Sequence, residues 1–261
     1  MTTAADAETR ERADRELFDA IGMDYAQKDI VASTRVARRS ILLRAVLPMV
    51  AEAGSLGTVV DVGCGPGSQA IYLAGSYERY IGIDQAQSMV DIGNGLTERM
   101  GNVEFQCANF KSAPLPPGTA DTVMFINVLH HMTDLDTVFE TARRIAKPGA
   151  RVIALEPQSG NPLVQGLRWV RTKVDSGYSA DQHFFAAEEF RAILDGAGLR
   201  DIDVRFQSYL TQPFATVVLS PQFLFDPLSR LATALEPAVE RLCAGPLARL
   251  SWLICAHARF P

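Results

Sequence analysis

Cysteine is scarce in this chain and follows no pattern. Cys64, Cys107, Cys243 and Cys255 form neither a C-x-x-C pair nor a metal-ligand spacing, so no disulfide framework and no metal site is expected. Long apolar runs are missing too. The longest candidate, residues 214–224, is interrupted by Pro221 and falls short of the roughly 18 residues that a membrane span requires. The opening stretch MTTAADAETRERADRE is polar and acidic, the opposite of an export signal, which leads us to expect reduced thiols and a cytoplasmic setting. An excess of positive charge is also lacking. Lys and Arg number 25 against 30 Asp and Glu, a net charge of −5, which gives no reason to expect a nucleic-acid partner.

What is present is a core. Of the 261 residues, 48% are hydrophobic, enough to exclude disorder and to build one large domain or one domain with additions. Leu17, Phe18, Ile21 and Tyr25 recur at helical steps, and so do Ile41, Leu42, Ala45, Val46, Met49 and Val50. The spacing predicts two helices over the first 55 or so residues, with Ser33 or Thr34 as N-cap of the second and Gly54 and Gly57 ending it. From Thr58 the pattern changes. Strands are expected at 58–62, 80–84, 103–107, 122–127 and 151–156, and helices near 68–74, 86–99 and 135–146, the last closed by Lys147-Pro148-Gly149. Such alternation implies right-handed crossovers and a doubly wound α/β fold with a parallel sheet. Beyond Glu156 we expect an inserted helix within 160–178 carrying Leu163, Leu167, Trp169 and Val170. After it come a helix at 187–197, a strand at 201–207 and a final strand within 250–260.

The segment most informative about function is Val59-Val60-Asp61-Val62-Gly63-Cys64-Gly65-Pro66-Gly67. A strand runs into a glycine-dense turn that opens a helix, so a ligand can lie against bare backbone near unpaired N–H groups. A second strand ends at Asp84, 84 − 61 = 23 residues past Asp61, which places a carboxylate where it can accept from ribose hydroxyls. Two ligand classes fit. A dinucleotide site prefers G-x-G-x-x-G, but the third glycine's position is Ser68 and an acid precedes the turn. An acid there suits a ligand bearing an ammonium and repels a pyrophosphate, which favours S-adenosylmethionine.

Residues 59–74 resemble motif I of the class I S-adenosylmethionine-dependent methyltransferases of small-molecule type, and Ile81-Gly82-Ile83-Asp84 resembles the acidic motif after it. Pro114-Leu115-Pro116 with Ala120-Asp121-Thr122-Val123 is similar to the family's approach to its fourth strand. Val128-Leu129-His130-His131-Met132 is similar to the segment just past that strand, and Lys147-Pro148-Gly149-Ala150-Arg151-Val152 to the turn into the fifth. The likeness runs from about Tyr25 to Phe206. It implies a Rossmann-like, seven-stranded, mostly parallel sheet, with an N-terminal helical cap over 1–57 and the cofactor domain over 58–261. It also implies acceptor-site additions at 159–179 and at 211–249, the latter a helical insertion before the last strand.

By this resemblance Asp61, Gly63, Cys64, Gly65 and Gly67 would cradle the amino-acid end of S-adenosylmethionine. Asp84 would hold the ribose, and Gln85 and Met89 would flank the adenosine. Asn109 and Phe110 would meet the adenine, with Asn standing where the family often has Asp. Asn127 and Val128 would lie near the amine and methyl end, and Tyr25 would close over the methionine part.

Methyl transfer is an in-line displacement, and a base is needed only when the nucleophile must lose a proton. His131 and His130 come after the fourth strand and are the candidate bases, with Tyr25 a third candidate at the reacting end. Glu156 at the end of the fifth strand either orients substrate or holds the first helices, and His183 is placed to face the acceptor. Arg35, Arg38, Arg39 and Arg44 share a face of the second helix, either a solvated surface or a receiver of an acidic group. The addition at 211–249 carries Phe214, Phe223, Leu224, Phe225, Leu228, Leu231, Leu235 and Leu242, as core packing, as a lid over a hydrophobic acceptor, or as a homodimer surface. The expected reaction is O- or C-methylation of a hydrophobic small molecule, such as a secondary metabolite. The alternatives are a non-methylating reaction on the same fold and a non-catalytic partner subunit.

Overall fold

The structure, a computed structural model, describes residues 4–166 and 183–261. Most of the insertion expected after the fifth strand, including Leu167, Trp169 and Val170, lies outside the described residues.

Two helices lead the chain, α1 (Ala4–Ile30) and α2 (Ala32–Ala53). The strands are β1 (Thr58–Val62), β2 (Arg79–Asp84), β3 (Val103–Cys107), β4 (Ala120–Ile126), β5 (Ala146–Pro157), β6 (Arg200–Gln207) and β7 (Leu253–Arg259). The later helices are α3 (Ser68–Tyr72), α4 (Gln87–Thr97), α5 (Leu135–Ile145), α6 (Ala187–Gly196), α7 (Gln212–Thr216) and α8 (Gln222–Leu242). All seven strands form one sheet in the order β3-β2-β1-β4-β5-β7-β6. β7 runs antiparallel to both neighbours, and the other pairs are parallel.

This order is consistent with burial on both sheet faces. β1 and β4 are almost wholly buried, as expected for apolar strands covered by helices on each side. One face packs Val60, Val62, Ile81, Val123, Phe125 and Val152 against α5 and α6. The other packs Val59, Tyr80, Met124, Ile153 and Leu155 against α2. The chain reverses its winding between β1 and β4, and at such a switch point the loops part and leave a crevice at the carboxyl ends of the strands.

Three local expectations are corrected. The N-cap of α2 is Val31, with no side-chain cap; Ser33 and Thr34 sit buried inside the first turn. The reason is tertiary, because the Ser33 carbonyl accepts from the Ser229 hydroxyl of α8 at 2.6 Å. β5 starts at Ala146, earlier than expected, because that residue already pairs with Ala120 before a bulge absorbs the Pro-Gly turn. Most apolar residues of α8 do not serve as core packing. Ser229 and Glu236 are fully buried, whereas Leu224, Leu228, Leu231 and Leu235 are 41–55% exposed and Phe223 is 83% exposed.

That inversion has a hydrogen-bonding cause. The Glu236 carboxylate accepts from the backbone N–H groups of Tyr209, Leu210 and Thr211 at 2.6, 2.9 and 2.7 Å and from the Thr211 hydroxyl at 2.6 Å. The turn after β6 thus finds its partners on α8. Arg44 of α2 pairs with Glu240 at 3.3 Å, one turn further along the same face of that helix. Among the described residues no helix is long and apolar enough to cross a membrane.

Candidate functional site

The glycine turn sits at the switch point. Gly63, Gly65 and Gly67 all have positive φ, at 64°, 53° and 73°, a region glycine enters without a Cβ penalty. Their reasons differ. A Cβ on Gly63 would lie 2.2 Å from Val128 Cγ2, and one on Gly67 would lie 2.4 Å from Phe105 Cζ. A Cβ on Gly65 would meet nothing within 4 Å, because Gly65 borders a cavity. Gly63 and Gly67 are therefore required by packing, Gly63 also bordering the cavity, and Gly65 leaves backbone bare to it.

Asp84 ties this turn to the end of β2. Its Oδ2 accepts from the Gly65 N–H at 2.9 Å and its Oδ1 from the Ala86 N–H at 2.9 Å. Burial pushes its carboxyl above the usual range, opposed by these amides. Each carboxylate oxygen keeps a further lone pair for a ligand hydroxyl.

The cavity runs from Asn109 and Phe110 after β3, past Gln85 and Met89, to Asn127, Val128 and His131 after β4, with Cys64 and Gly65 along one side and Tyr25 at one end. Most of the sequence-predicted cofactor residues thus surround one space. Asp61 and Gly67 stand behind this lining and do not border the space themselves. Asp61 is fully buried and accepts from the Tyr80 hydroxyl, while its Oδ1 has no hydrogen-bond partner. Burial pushes its carboxyl up to about 7; the Tyr80 hydroxyl works against that and the Asp84 charge adds to it. Burial likewise holds the Cys64 thiol far up, so Cys64 contributes its backbone and bulk and no thiolate. Asn109 caps the short turn after β3, its Oδ1 accepting from the Lys111 N–H at 3.0 Å. Asn127 takes φ 54°, a left-handed conformation that asparagine tolerates better than most residues.

α1 forms the outer wall. Glu11 bonds Lys111 at 2.6 Å and also accepts from the Thr133 hydroxyl. Burial alone would raise the Glu11 carboxyl, but these two partners hold it below its usual range. Arg10 donates to the His130 carbonyl at 3.1 Å, and the Ser88 N–H donates to Asp19 at 3.0 Å. The amino-acid sequence carries little sign of these contacts beyond the alternation of acids along a polar first helix.

The two histidines separate. His131 lines the cavity, its Nδ1 3.3 Å from Asp14 Oδ2 and its ring edge-on to Phe18. His130 is buried off the cavity wall, with Nδ1 2.7 Å from Glu156 Oε2. Glu156 Oε1 in turn accepts from the Val128 and Leu129 N–H groups at 3.0 and 2.8 Å. Burial pushes the Glu156 carboxyl up to about 7, while those amides and then the His131 charge pull it down. Glu156 and His130 therefore shape the loop after β4, and the His130 carbonyl also receives Arg10 of α1. His183 pairs with Glu189 at 2.7 Å on the exposed start of α6, away from the cavity wall.

A second chamber adjoins the first and shares Tyr25, Arg38, Gln69, Ile126 and Asn127 with it. Arg38 Nε donates to Asp29 Oδ1 at 2.7 Å, and the Tyr72 hydroxyl donates to the same oxygen at 2.9 Å. Lys28 Nζ lies 4.4 Å from the centroid of the Tyr25 ring and Arg38 Cζ 5.4 Å from it. The expected basic face of α2 is thus divided. Arg38 and Arg44 are engaged in ion pairs, and Arg35 and Arg39 are exposed. Of the addition at 211–249, only Gln212, Ala215 and Thr216 reach this chamber.

A methyltransferase-domain family model matches residues 60–154. A probable chloroplastic tocopherol O-methyltransferase of Oryza sativa subsp. japonica is 29% identical over 185 residues, 67% of this chain and 51% of that protein. The 27-O-demethylrifamycin SV methyltransferase of Amycolatopsis mediterranei is 29% identical over 186 residues, 70% of this chain and 65% of that protein. The chain spans about half the length of the curated relatives it matches. Among solved structures, an S-adenosylmethionine-dependent methyltransferase of Thermotoga maritima, a possible histamine N-methyltransferase, superposes with a TM-score of 0.64 at 16% identity, covering 94% of this chain and 98% of that one. Residues 60–154 thus match a methyltransferase domain, and the strand order and the glycine turn at its switch point agree with that match.

Proposed function

We propose that this chain transfers a methyl group from S-adenosylmethionine to an oxygen or carbon of a small organic molecule. The observation that carries the reading is the Gly65 backbone, bare to the cavity and held there by Asp84. The residues present fit the cofactor. An open glycine cradle suits its amino-acid end, and carboxylate lone pairs on Asp84 suit its ribose. The small apolar recess of Met89 and Phe110 beside Asn109 suits its adenine.

When bound, S-adenosylmethionine supplies a methyl group on a sulfonium, activated for displacement. The chain's own residues then align an acceptor and keep water out. α1 contributes the exclusion through the contacts of Glu11, Arg10 and Asp14 over the mouth. His131 is the candidate base. With Nδ1 engaged by Asp14, its Nε2 is the nitrogen that takes a proton from an acceptor hydroxyl or carbon acid. Phe18, Met132 and Val138 on the first wall, with Ile41, Leu42 and Leu155 on the second, support an acceptor with an apolar body.

Incubation with methyl-labelled S-adenosylmethionine and a pool of hydroxylated aromatic and terpenoid metabolites tests this. The expected result is label in an acceptor together with S-adenosylhomocysteine. Acceptor conversion with the cofactor left intact would instead identify a non-methylating reaction.

A further inference from the structure

The second chamber contains polar atoms that the fold itself leaves unused. Asp29 has a side chain only 7% exposed. Its Oδ1 already accepts from Arg38 and Tyr72, which fixes the carboxylate, while its Oδ2 is buried with no hydrogen-bond partner. Ser68 Oγ, on the same chamber wall, is also buried and unpartnered. A buried carboxylate oxygen without a donor is costly. An ionised carboxylate only accepts, so the ligand that relieves this cost must donate a hydrogen bond.

The charges on the chamber wall select among donors. Lys28 and Arg38 supply two cations and Asp29 one anion, so the lining carries a net positive charge. That disfavours an ammonium and leaves a neutral hydroxyl as the donor that Asp29 Oδ2 can accept. The remaining walls, Ile41, Leu42, Ile126 and Leu155, are apolar. Tyr25 and Asn127 border both chambers, so a molecule held here lies next to the proposed cofactor site.

We propose that this chamber is the acceptor site and that it selects an alcohol or phenol, with Asp29 Oδ2 and Ser68 Oγ receiving and orienting its hydroxyl. The inference rests on the methyltransferase reading and adds the acceptor class to it. Asp29 acts here as a specificity-determining residue. It discriminates a hydroxyl from the corresponding ether, which leaves Oδ2 unpaired.

The test uses the full chain saturated with S-adenosylhomocysteine and a matched panel. Its members are phenol, cyclohexanol and 1-naphthol, each with its methyl ether, plus benzylamine, monitored by ligand-observed NMR titration. A hydrogen bond to a charged group corresponds to roughly a ten- to hundredfold preference for a hydroxyl over its ether. Asp29→Asn keeps an oxygen for Arg38 and Tyr72 but places an amide N–H2 at the Oδ2 position, so the preference should disappear while S-adenosylhomocysteine affinity stays within about threefold. Should that variant fail to fold, Ser68→Ala gives the same reading, with a loss of roughly three- to tenfold for hydroxyls alone. Absence of any hydroxyl-over-ether preference across the panel, or a preference for benzylamine, overturns the inference. Failure of the wild type to bind S-adenosylhomocysteine overturns the reading beneath it, which is a different outcome.

Discussion

Asp84 and Gly65 are 19 residues apart and joined by a 2.9 Å hydrogen bond from the Gly65 N–H to Oδ2. The acid at the end of β2 therefore acts before any ligand arrives. It pins the one glycine of the turn whose open side faces the cavity. Replacing Asp84 by Ala should free the Gly65 amide and remove a ligand contact together. We expect faster hydrogen exchange at Gly65 and S-adenosylhomocysteine affinity weakened by about 1.5–3 kcal/mol, measured by exchange mass spectrometry and calorimetry.

Gly63 is a packing requirement. Gly63→Ala meets Val128 Cγ2 and enforces a positive φ on an L-residue, so the loss of stability should be about 1–3 kcal/mol in urea denaturation. The double variant with Val128→Ala should recover part of that loss and not all, since the backbone penalty stays.

The two histidines should respond in opposite ways. His131→Ala removes a cavity-lining ring and should lower kcat, with a change in the pH dependence of the rate and little change in Tm. His130→Ala leaves the buried Glu156 without its ring partner and should cost about 1–3 kcal/mol of stability. Thermal melts beside steady-state rates separate the two, and equal kinetic losses would contradict the assignment.

The buried Asp61 and Glu156 carboxyls should make stability fall as pH rises, against the opposite contribution of His257, which burial holds below its usual range. The Asp61 and Glu156 carboxyls are raised to about 7 in the fold, so the native state holds their protons at pH values where the unfolded chain has released them. Their contribution is present in full below the ordinary carboxylate range and is lost as pH climbs through about 7. The slope is at most about 1.4 kcal/mol per pH unit for each group. Urea denaturation between pH 5 and pH 8 measures it, and Asp61→Asn should flatten the curve.

The insertion before β7 depends on one acid. Glu236→Ala leaves three backbone N–H groups and a hydroxyl without their acceptor. A destabilisation of about 3 kcal/mol or more is expected, with a smaller loss for Glu236→Gln.

Much of this was legible in the sequence, because the signals are local. The strand into Gly63-Cys64-Gly65, the acid ending the next strand, and the alternation across 58–157 are all carried by neighbouring residues. What stayed hidden depends on contacts between distant segments. The α2 cap gives way to a contact between Ser33 and Ser229. The leucines of α8 face outward because Glu236 is drawn inward by the turn at 209–211. Asp29 carries no motif at all, and its importance emerges only when α1, α2 and α3 bring it against Arg38 and Tyr72. Asp61 was readable as an acid beside the glycines. Its register opposite Gly82, which puts it under Tyr80 and off the cavity wall, was not.

The most direct test is a calorimetric titration of the full chain with S-adenosylhomocysteine. A site built on the open Gly65 backbone and the Asp84 carboxylate predicts saturable one-to-one binding that Asp84→Ala weakens at least about tenfold. No heat of binding at millimolar ligand, or an affinity indifferent to Asp84, would contradict the account.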